Sequence, residues 1–418
     1  MELKTLSIID FRGIAELEIS FHPRTNVFVG INGSGKSAIL DCLAIMLSRL
    51  VGRIRSTSGT GRFYSTHDIT NGRSQTKNEI EVLVDDESVG WYFTKTRSGR
   101  RKGQFISNFD QLKRIAGQIQ SEIESDSKAS LPLAVYYPVN RAVLDIPLRI
   151  RRRHEFDRLS AYDQALTGAR NDFRIFFEWF RGREDLENET RLRPRKRKYR
   201  DRQLQAVRRA IEGLLPDFED LRVQRSPLRM TLLKDEEELI VDQLSDGEKC
   251  LLAMTGDLAR RLAIANPSLT DPLKGKAVVL IDEIDLHLHP SWQRDVIGCL
   301  TRVFPNCQFV LTTHSPQVVS EVPSECIMSL QRSEHDVRIV RPDSAYGLDT
   351  NRILEDIMAV SERPQLVKTA LRRLFRAIED GNIEAATDRL EKLRGKIGSD
   401  PELAKADAMI RRKEILAR

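Results

Sequence analysis

Apolar positions near the start of the chain alternate with polar ones. Leu3, Leu6 and Ile8 predict a strand over residues 3–9, and Leu17, Ile19 and Phe21 predict a second over 15–21, joined through the turn Phe11-Arg12-Gly13. Val27-Phe28-Val29 is apolar throughout and reads as a fully buried strand, after which Ala38–Leu50 takes helical spacing. The Gly- and Ser-rich stretch Ser56–Gly61 reads as a loop. A hairpin is expected over Glu79–Val84 and Val89–Lys95, turning at Asp85-Asp86-Glu87, and Leu133-Ala134-Val135-Tyr136-Tyr137 is a further buried strand. From Ser160 to Gly213 the pattern is helical and polar, with aromatic ridges at Phe173, Phe176, Phe177 and Phe180. Strands return at Met230-Thr231-Leu232 and Glu238–Val241. Helix, strand, helix and strand then follow at Gly247–Ile264, Ala277–Ile281, Gln293–Arg302 and Gln308–Thr312, the alternation of an α/β sheet. Beyond Thr350 the pattern is helical, and Ser399-Asp400-Pro401-Glu402 reads as a capping box opening the last helix.

Composition narrows this picture. A chain of 418 residues has room for two or three domains and a sizeable core. No apolar run approaches the roughly 20 residues that span a bilayer, and Met1-Glu2-Leu3-Lys4-Thr5 lacks the basic start and apolar core of a signal peptide. The cysteines (Cys42, Cys250, Cys299, Cys307, Cys326) are scattered and form no CxxC pair, so reduced, mostly buried thiols are expected rather than a zinc site or disulfide framework. A cytoplasmic protein without a membrane partner follows. The net charge of +6 matters less than its placement. The run Arg191–Arg202 carries much of it; smaller clusters are Lys95, Arg97, Arg100, Arg101 and Lys102, and Arg149, Arg151, Arg152 and Arg153.

Four motifs carry chemistry. Gly30-Ile31-Asn32-Gly33-Ser34-Gly35-Lys36-Ser37 matches GxxxxGK[ST] between a buried strand and a helix. Its glycines let backbone N–H groups turn toward phosphates at a positive helix end. Lys36 would reach the β- and γ-phosphates of ATP and Ser37 would ligate Mg²⁺. Ala277-Val278-Val279-Leu280-Ile281-Asp282-Glu283 is an apolar strand ending in two carboxylates at the sheet edge where α/β ligands sit. Asp282 would hold Mg²⁺ through water, and Glu283 would orient and deprotonate the attacking water. Adjacent acids at a strand end are common by themselves; the P-loop makes these two informative. Leu244-Ser245-Asp246-Gly247-Glu248-Lys249 opens a helix, either as an anion site or as a plain capping box. His314 follows another apolar strand on the same edge as Glu283 and is a candidate γ-phosphate contact. A lone His is more often structural. His287 and His289 sit two apart after Asp285 with no third ligand in view, a poor metal pair.

Taken in order, these motifs resemble the ABC-type ATPase heads, an α/β fold with a mixed sheet and flanking helices. The resemblance covers about the first 150 residues and 235–340. It implies Walker A at Gly30–Ser37, the signature at Leu244–Glu248 with Ser245 and Gly247, Walker B at Ala277–Glu283, the D-loop at Asp285 and the H-loop at His314. It further implies a head-to-head homodimer, or a higher oligomer built from dimers, with Ser245 of one copy closing over ATP held by Lys36 of the other. Asp68 and Gln75 are the candidates for the Q-loop residue.

The spacing between Lys36 and Ser245 is too short for the coiled-coil arms of chromosome-organising relatives. The segment after His314 lacks the acidic cluster of the overcoming-lysogenization nucleases, and no substrate-coupling membrane domain is present. Leu133–Arg141, Gly347–Leu354 and the tail from Ile378 to Leu403 are similar to the PtuA ATPases of Septu anti-phage systems and to retron effector ATPases. That likeness implies a separate HNH nuclease partner, PtuB-like. The expected organisation is an N-terminal ATPase lobe over 1–150, a helical basic insertion over 151–234, a C-terminal lobe over 235–345 and a helical region over 346–418. A stand-alone DNA-repair ATPase resembling RecF, clamping DNA, is the alternative; an ATP-switched scaffold without catalysis fits poorly with an intact Glu283. Dense like charge around Pro194 leaves Arg191–Arg202 solvated, as a DNA contact through phosphates or as a plain solvated loop.

Overall fold

The computed structural model describes residues 1–97, 105–139, 156–167, 173–333 and 336–416. Arg100, Arg101, Lys102, Asn140, Arg141, Arg149 and Arg151–Arg153, singled out above, lie outside the described residues. The chain divides into two compact units, Met1–Ile353 and Leu354–Arg418.

The first unit contains three sheets, two of them packed around one helix. β1 (Glu2–Phe11), β2 (Ile14–Ser20), β4 (Gln75–Val84) and β5 (Glu87–Thr96) form an antiparallel sheet in the order β2-β1-β4-β5. The second sheet has the order β13-β12-β3-β11-β10-β6, from β3 (Thr25–Val29), β6 (Leu133–Tyr137), β10 (Ala277–Ile281), β11 (Cys307–Thr312), β12 (Ile327–Arg332) and β13 (Val337–Val340). All its pairs are parallel except β12 with β13. Strands β3, β6, β10 and β11 are buried at every residue, as strands covered on both faces must be.

Helix α1 (Lys36–Arg55) packs against β4 of one sheet and β6, β10 and β11 of the other. Fourteen of its twenty residues are buried, so its apolar side chains run nearly all round rather than along one stripe. The amide of Gln308 stitches the sheets together, accepting from Leu3 N (2.6 Å) and donating to Leu3 O (3.0 Å). Helix α2 (Asp110–Ser125) covers the outside of α1 with Leu112, Ile115, Ala116 and Ile119.

Two helices follow the expected aromatic ridge, α3 (Phe173–Leu192) and α4 (Arg202–Leu214), with Phe173, Phe176, Phe177 and Phe180 buried. The insertion is not helical throughout. Strands β7 (Phe218–Arg225), β8 (Leu228–Lys234) and β9 (Glu237–Ile240) form a separate antiparallel sheet. The irregular register between Glu219 and Arg222 breaks the alternation of β7 and hides that strand from the sequence pattern. The β12–β13 hairpin was likewise outside the sequence reading.

Helix α5 (Asp246–Ala265) is buried at eighteen of its twenty residues and lies beneath α3 and α4. Helix α6 (Pro290–Val303) and the short α7 (Pro316–Val319) and α8 (Thr350–Arg352) complete this unit. The second unit is a three-helix cluster: α9 (Gln365–Glu379), α10 (Ile383–Ile397) and α11 (Pro401–Leu416) close on a core that includes Leu374, Ile378, Leu390 and Ala406. The last helix is capped by Asp400, which accepts from Glu402 N at 2.9 Å, rather than by Ser399. Asp400 is also paired with Arg363 at 2.9 Å, so the carboxylate one residue on outcompetes the hydroxyl.

A buried ionic group ties α5 to the main sheet. Asp257 pairs with Arg260 (2.8 Å) and Arg261 (2.6 Å) and accepts from Tyr137 Oη (3.0 Å). Burial works to raise the Asp257 pKa, but Arg261 and Arg260 hold it down at about 2, below its ordinary 3.8. A carboxyl depressed in the native state stabilises above its unfolded pKa, and that contribution fades as pH falls from about 4 toward 2. Asp257→Asn leaves two guanidinium groups in the interior without their counter-charge. It is expected to destabilise the protein by about 3–5 kcal/mol near neutral pH. In urea unfolding at several pH values, the gap from wild type should narrow as pH falls below about 4.

Candidate active site

The parallel register sets the site. Ile281 pairs with Tyr137 and with Leu311, and Thr312 pairs with Phe28. The C-terminal ends of β3, β11, β10 and β6 therefore lie side by side, and the residues after them share one edge.

The loop from Gly30 to Ser37 leaves β3 and enters α1. Gly30 (φ +148°), Gly33 (φ +78°) and Gly35 (φ +106°) all need the backbone freedom of glycine. At Gly30 space is short as well: a Cβ would meet Leu330 O at 2.7 Å. Lys36 lies in the hollow of the loop and donates to Gly30 O (2.8 Å) and Ile31 O (3.2 Å). Burial lowers its pKa, while Asp282, Glu283 and Asp285 pull it upward. Those three carboxylates thus act on the Lys36 ammonium together, joining the first two motifs in space. Asn32, Gly33 and Ser37 are exposed; Ser34 is buried, its hydroxyl without a hydrogen-bond partner.

Thr312, which the sequence reading did not single out, organises the acids. Its hydroxyl donates to Asp282 Oδ1 (2.5 Å) and accepts from Glu283 N (2.7 Å). Its carbonyl accepts from Ile284 N (3.0 Å). These bonds hold Glu283 at φ +47°, a left-handed conformation unusual for a side chain of this kind. Thr313 then donates to Asp285 Oδ1 (2.6 Å), which also accepts from His314 N (3.3 Å). The D-loop and H-loop candidates are therefore one hydrogen-bonded unit. The only signal for this in the sequence was the pair of threonines before His314.

Ser245 is the N-cap of α5, exposed, in a reciprocal capping box. Its hydroxyl donates to Glu248 Oε2 (2.7 Å) and accepts from Glu248 N (3.4 Å), and Glu248 pairs with Lys234 of β8 at 2.6 Å. Gly247 faces the D-loop so closely that a Cβ would lie 2.4 Å from His287 O. The structure thus places the Leu244–Glu248 segment beside the turn that holds Asp285 and His287, at the start of α5.

Asp68 and Gln75 do not join this group. Asp68 pairs with Arg12 (2.6 Å), and the Gln75 amide bonds both ways to the Phe105 backbone (2.6 and 3.2 Å). Gln75 opens β4, in the other sheet. The strand beside Asp282 is β6 instead: Asp282 N donates to Tyr137 O at 2.9 Å. His289 caps α6, its Nδ1 2.8 Å from Ser291 Oγ.

The basic tract spans the α3–α4 connection. Glu187 holds Arg191 and Arg200, Glu189 holds Arg193 (3.3 Å), and Arg191 Nε donates to Tyr199 O (2.9 Å). Arg195, Lys196, Arg197 and Lys198 are exposed and, among the described residues, in no ion pair. The flanks of the tract are neutralised within the fold while its crown keeps its charge.

The residues present fit a magnesium nucleotide. Lys36 and the glycine-loop amides suit phosphate oxygens, the Ser34 hydroxyl is an unsatisfied buried group in the same loop, and Ser37 and Asp282 offer oxygen ligands. Among the described residues no three His, Cys, Asp or Glu side chains converge as a metal cage.

Residues 5–219 match the family described as an AAA domain. The retron Ec83 probable ATPase of Escherichia coli is 30% identical, aligned over 87% of this chain and 77% of its own length. The retron Vc95 probable ATPase of Vibrio cholerae serotype O1 biovar El Tor is also 30% identical, over 91% and 83%. The Septu protein PtuA of Bacillus thuringiensis is 29% identical over 37% of this chain and 41% of its own. The fold is α/β, a mixed sheet with flanking helices, and the chain is an ATPase. It belongs to the AAA-domain family that includes these retron ATPases.

Thr312→Val keeps the strand and the volume and removes both side-chain bonds. The turnover rate should fall about 10- to 100-fold, the worth of one hydrogen bond to a charged group at the reacting centre. ATP affinity, measured by titration with a fluorescent analogue, should stay close to wild type.

Proposed function

We propose that this ATPase binds MgATP between two copies of itself and uses its hydrolysis to control a partner nuclease of the HNH type in anti-phage defence. The observation that carries the catalytic part is the parallel register of β3, β11 and β10, which sets the Lys36 loop at the same sheet edge as Asp282 and Glu283. The relation to retron and Septu proteins supports the defence setting.

In this reading Gly30, Asn32, Gly33, Ser34 and Gly35 turn backbone amides to the phosphates, and Lys36 releases its own loop carbonyls to meet them. Ser37, and Asp282 through water, would hold magnesium, which would supply charge neutralisation at the phosphates. Glu283 accepts the proton of the attacking water, with its backbone pinned by Thr312. His314 and Asp285 line the γ-phosphate side. The exposed Ser245 cap and the N-terminus of α5, kept close to the D-loop by Gly247, present N–H groups and a hydroxyl to nucleotide held by the other copy. The crown Arg195–Lys198 contacts DNA phosphates.

Lys36→Ala should abolish ATP binding, read by titration calorimetry. Glu283→Gln should bind ATP, hydrolyse it at least about 100-fold more slowly, and accumulate as a dimer in ATP by light scattering. Copurification with the product of the adjacent gene, then plasmid cleavage with and without ATP, tests the control of a nuclease. No retained nuclease, or cleavage indifferent to ATP and to both variants, overturns that part. Replacing Arg195, Lys196, Arg197 and Lys198 with Ser should weaken DNA binding and flatten its salt dependence by up to about 3 in log–log slope. Basal ATPase activity should not change.

A further inference from the structure

The second unit carries a surface that the ATPase reaction does not use. Helices α9 and α10 bury one side of themselves in the three-helix core through Leu371, Leu374, Ile378, Leu390 and Leu393. On α9 a second apolar stripe lies at the edge of that core, against which Val367 and Ala370 pack. Leu366 is 87% exposed, and Val367 and Ala370 are half-buried beside it. These residues and Leu393 and Ile397 of α10 floor a groove of about 560 Å³ between the two helices.

The rim of the groove has one sign of charge. Arg373, Arg389, Lys392 and Lys396 line it, and no carboxylate does. Lys392 is answered by Asp388 at 2.6 Å, outside the lining. Arg389 donates to Arg373 O at 2.7 Å, which holds its guanidinium along the groove. Among the described residues Arg373, Arg389 and Lys396 have no ion pair. The rim residues recur on α10 at 389, 392 and 396, and the α9 residues at 366, 370 and 373, the spacing of one helical face on each side.

We propose that this groove docks an acidic amphipathic helix of a partner protein. Each wall is a fifteen-residue helix, about 22 Å long, and a helix of similar length laid between them would bury its apolar stripe on Leu366, Ala370 and Ile397. Asp or Glu residues on both flanks of that stripe would meet the rim cations. An anionic membrane shares the charge but not the shape: a concave trough between two helices suits a rod of side chains, whereas a lipid surface suits a convex apolar face. The proposal rests on the reading of this chain as an ATPase that acts on a partner. Its test needs neither ATP nor a nuclease, so its failure is separable from failure of that reading.

The test uses the full-length protein and two synthetic helical peptides with the same leucine stripe, one flanked by Glu and one by Lys. Binding is read by fluorescence anisotropy across a salt series. The Glu peptide should bind at least ten-fold more tightly than the Lys peptide, with affinity falling as salt rises. Leu366→Asp should abolish that binding. The double variant Arg389→Glu, Lys396→Glu should reverse the preference, with unchanged ATPase activity and unfolding midpoint showing that it is folded. Equal binding of both peptides, binding of neither, or affinity indifferent to the variants overturns the proposal. So does capture of phosphatidylserine vesicles in place of the Glu peptide, or self-association of the chain that Leu366→Asp abolishes.

Discussion

One hydroxyl, that of Thr312, lies at the centre of the site's geometry. It gives its proton to Asp282 and takes the N–H of Glu283, so both acids of β10 are set by a single side chain on β11. This works only because β10 and β11 are parallel and in register, ending side by side. An antiparallel neighbour would have carried Thr312 to the far edge. The left-handed backbone at Glu283 is held by the same contact, so strain at this residue is supported by two strands buried at every position.

From that edge a continuous run of polar contacts reaches the signature helix. Asp282 N–H rests on Tyr137 O, Tyr137 Oη on Asp257, and Asp257 on Arg261, which in turn donates to Ala161 O and Asp163 O at the start of the insertion. The two ends of α5 thus have different duties. Its N-cap Ser245 and first residue Asp246 are exposed; its middle is buried and anchored by charge. A movement of α5 must be shared with β6 and β10 or break buried hydrogen bonds, which are costly in the interior. Anchoring the helix by an ion cluster rather than by apolar packing alone also ties this part of the fold to pH at the acid end, through Asp257.

The ionic pattern of the insertion follows a similar division. Glu184 and Glu187, buried on α3, collect arginines from α4, β7 and both ends of the basic tract. Those arginines belong to the fold, and counting them as free positive charge would overstate the electrostatic surface. Among the described residues the crown Arg195–Lys198 stays outside this internal neutralisation.

Much of this was legible along the chain because it depends on local rules. Val27–Val29, Ala277–Ile281 and Phe309–Leu311 declare themselves as buried strands by uninterrupted apolar residues, and the glycines of the P-loop mark a turn that few other residues can adopt. The acids Asp282 and Glu283, Lys36 and His314 were read from their places at strand ends. What the sequence could not convey depends on neighbours far away in the chain. Pairing of β11 with β10 decides that Thr312 serves both acids; packing of Gly247 against His287 O decides that the signature abuts the D-loop; and adjacency of β6 to β10 excludes Asp68 and Gln75 from the edge. β7 escaped notice because an irregular register broke its period, and Asp400 replaced Ser399 as a cap because Arg363 pairs with the carboxylate. Residue type and spacing along the chain determine which groups can do chemistry. Which of them meet was decided only by strand order and register, because hydrogen bonds between strands link residues hundreds of positions apart with no trace in local periodicity.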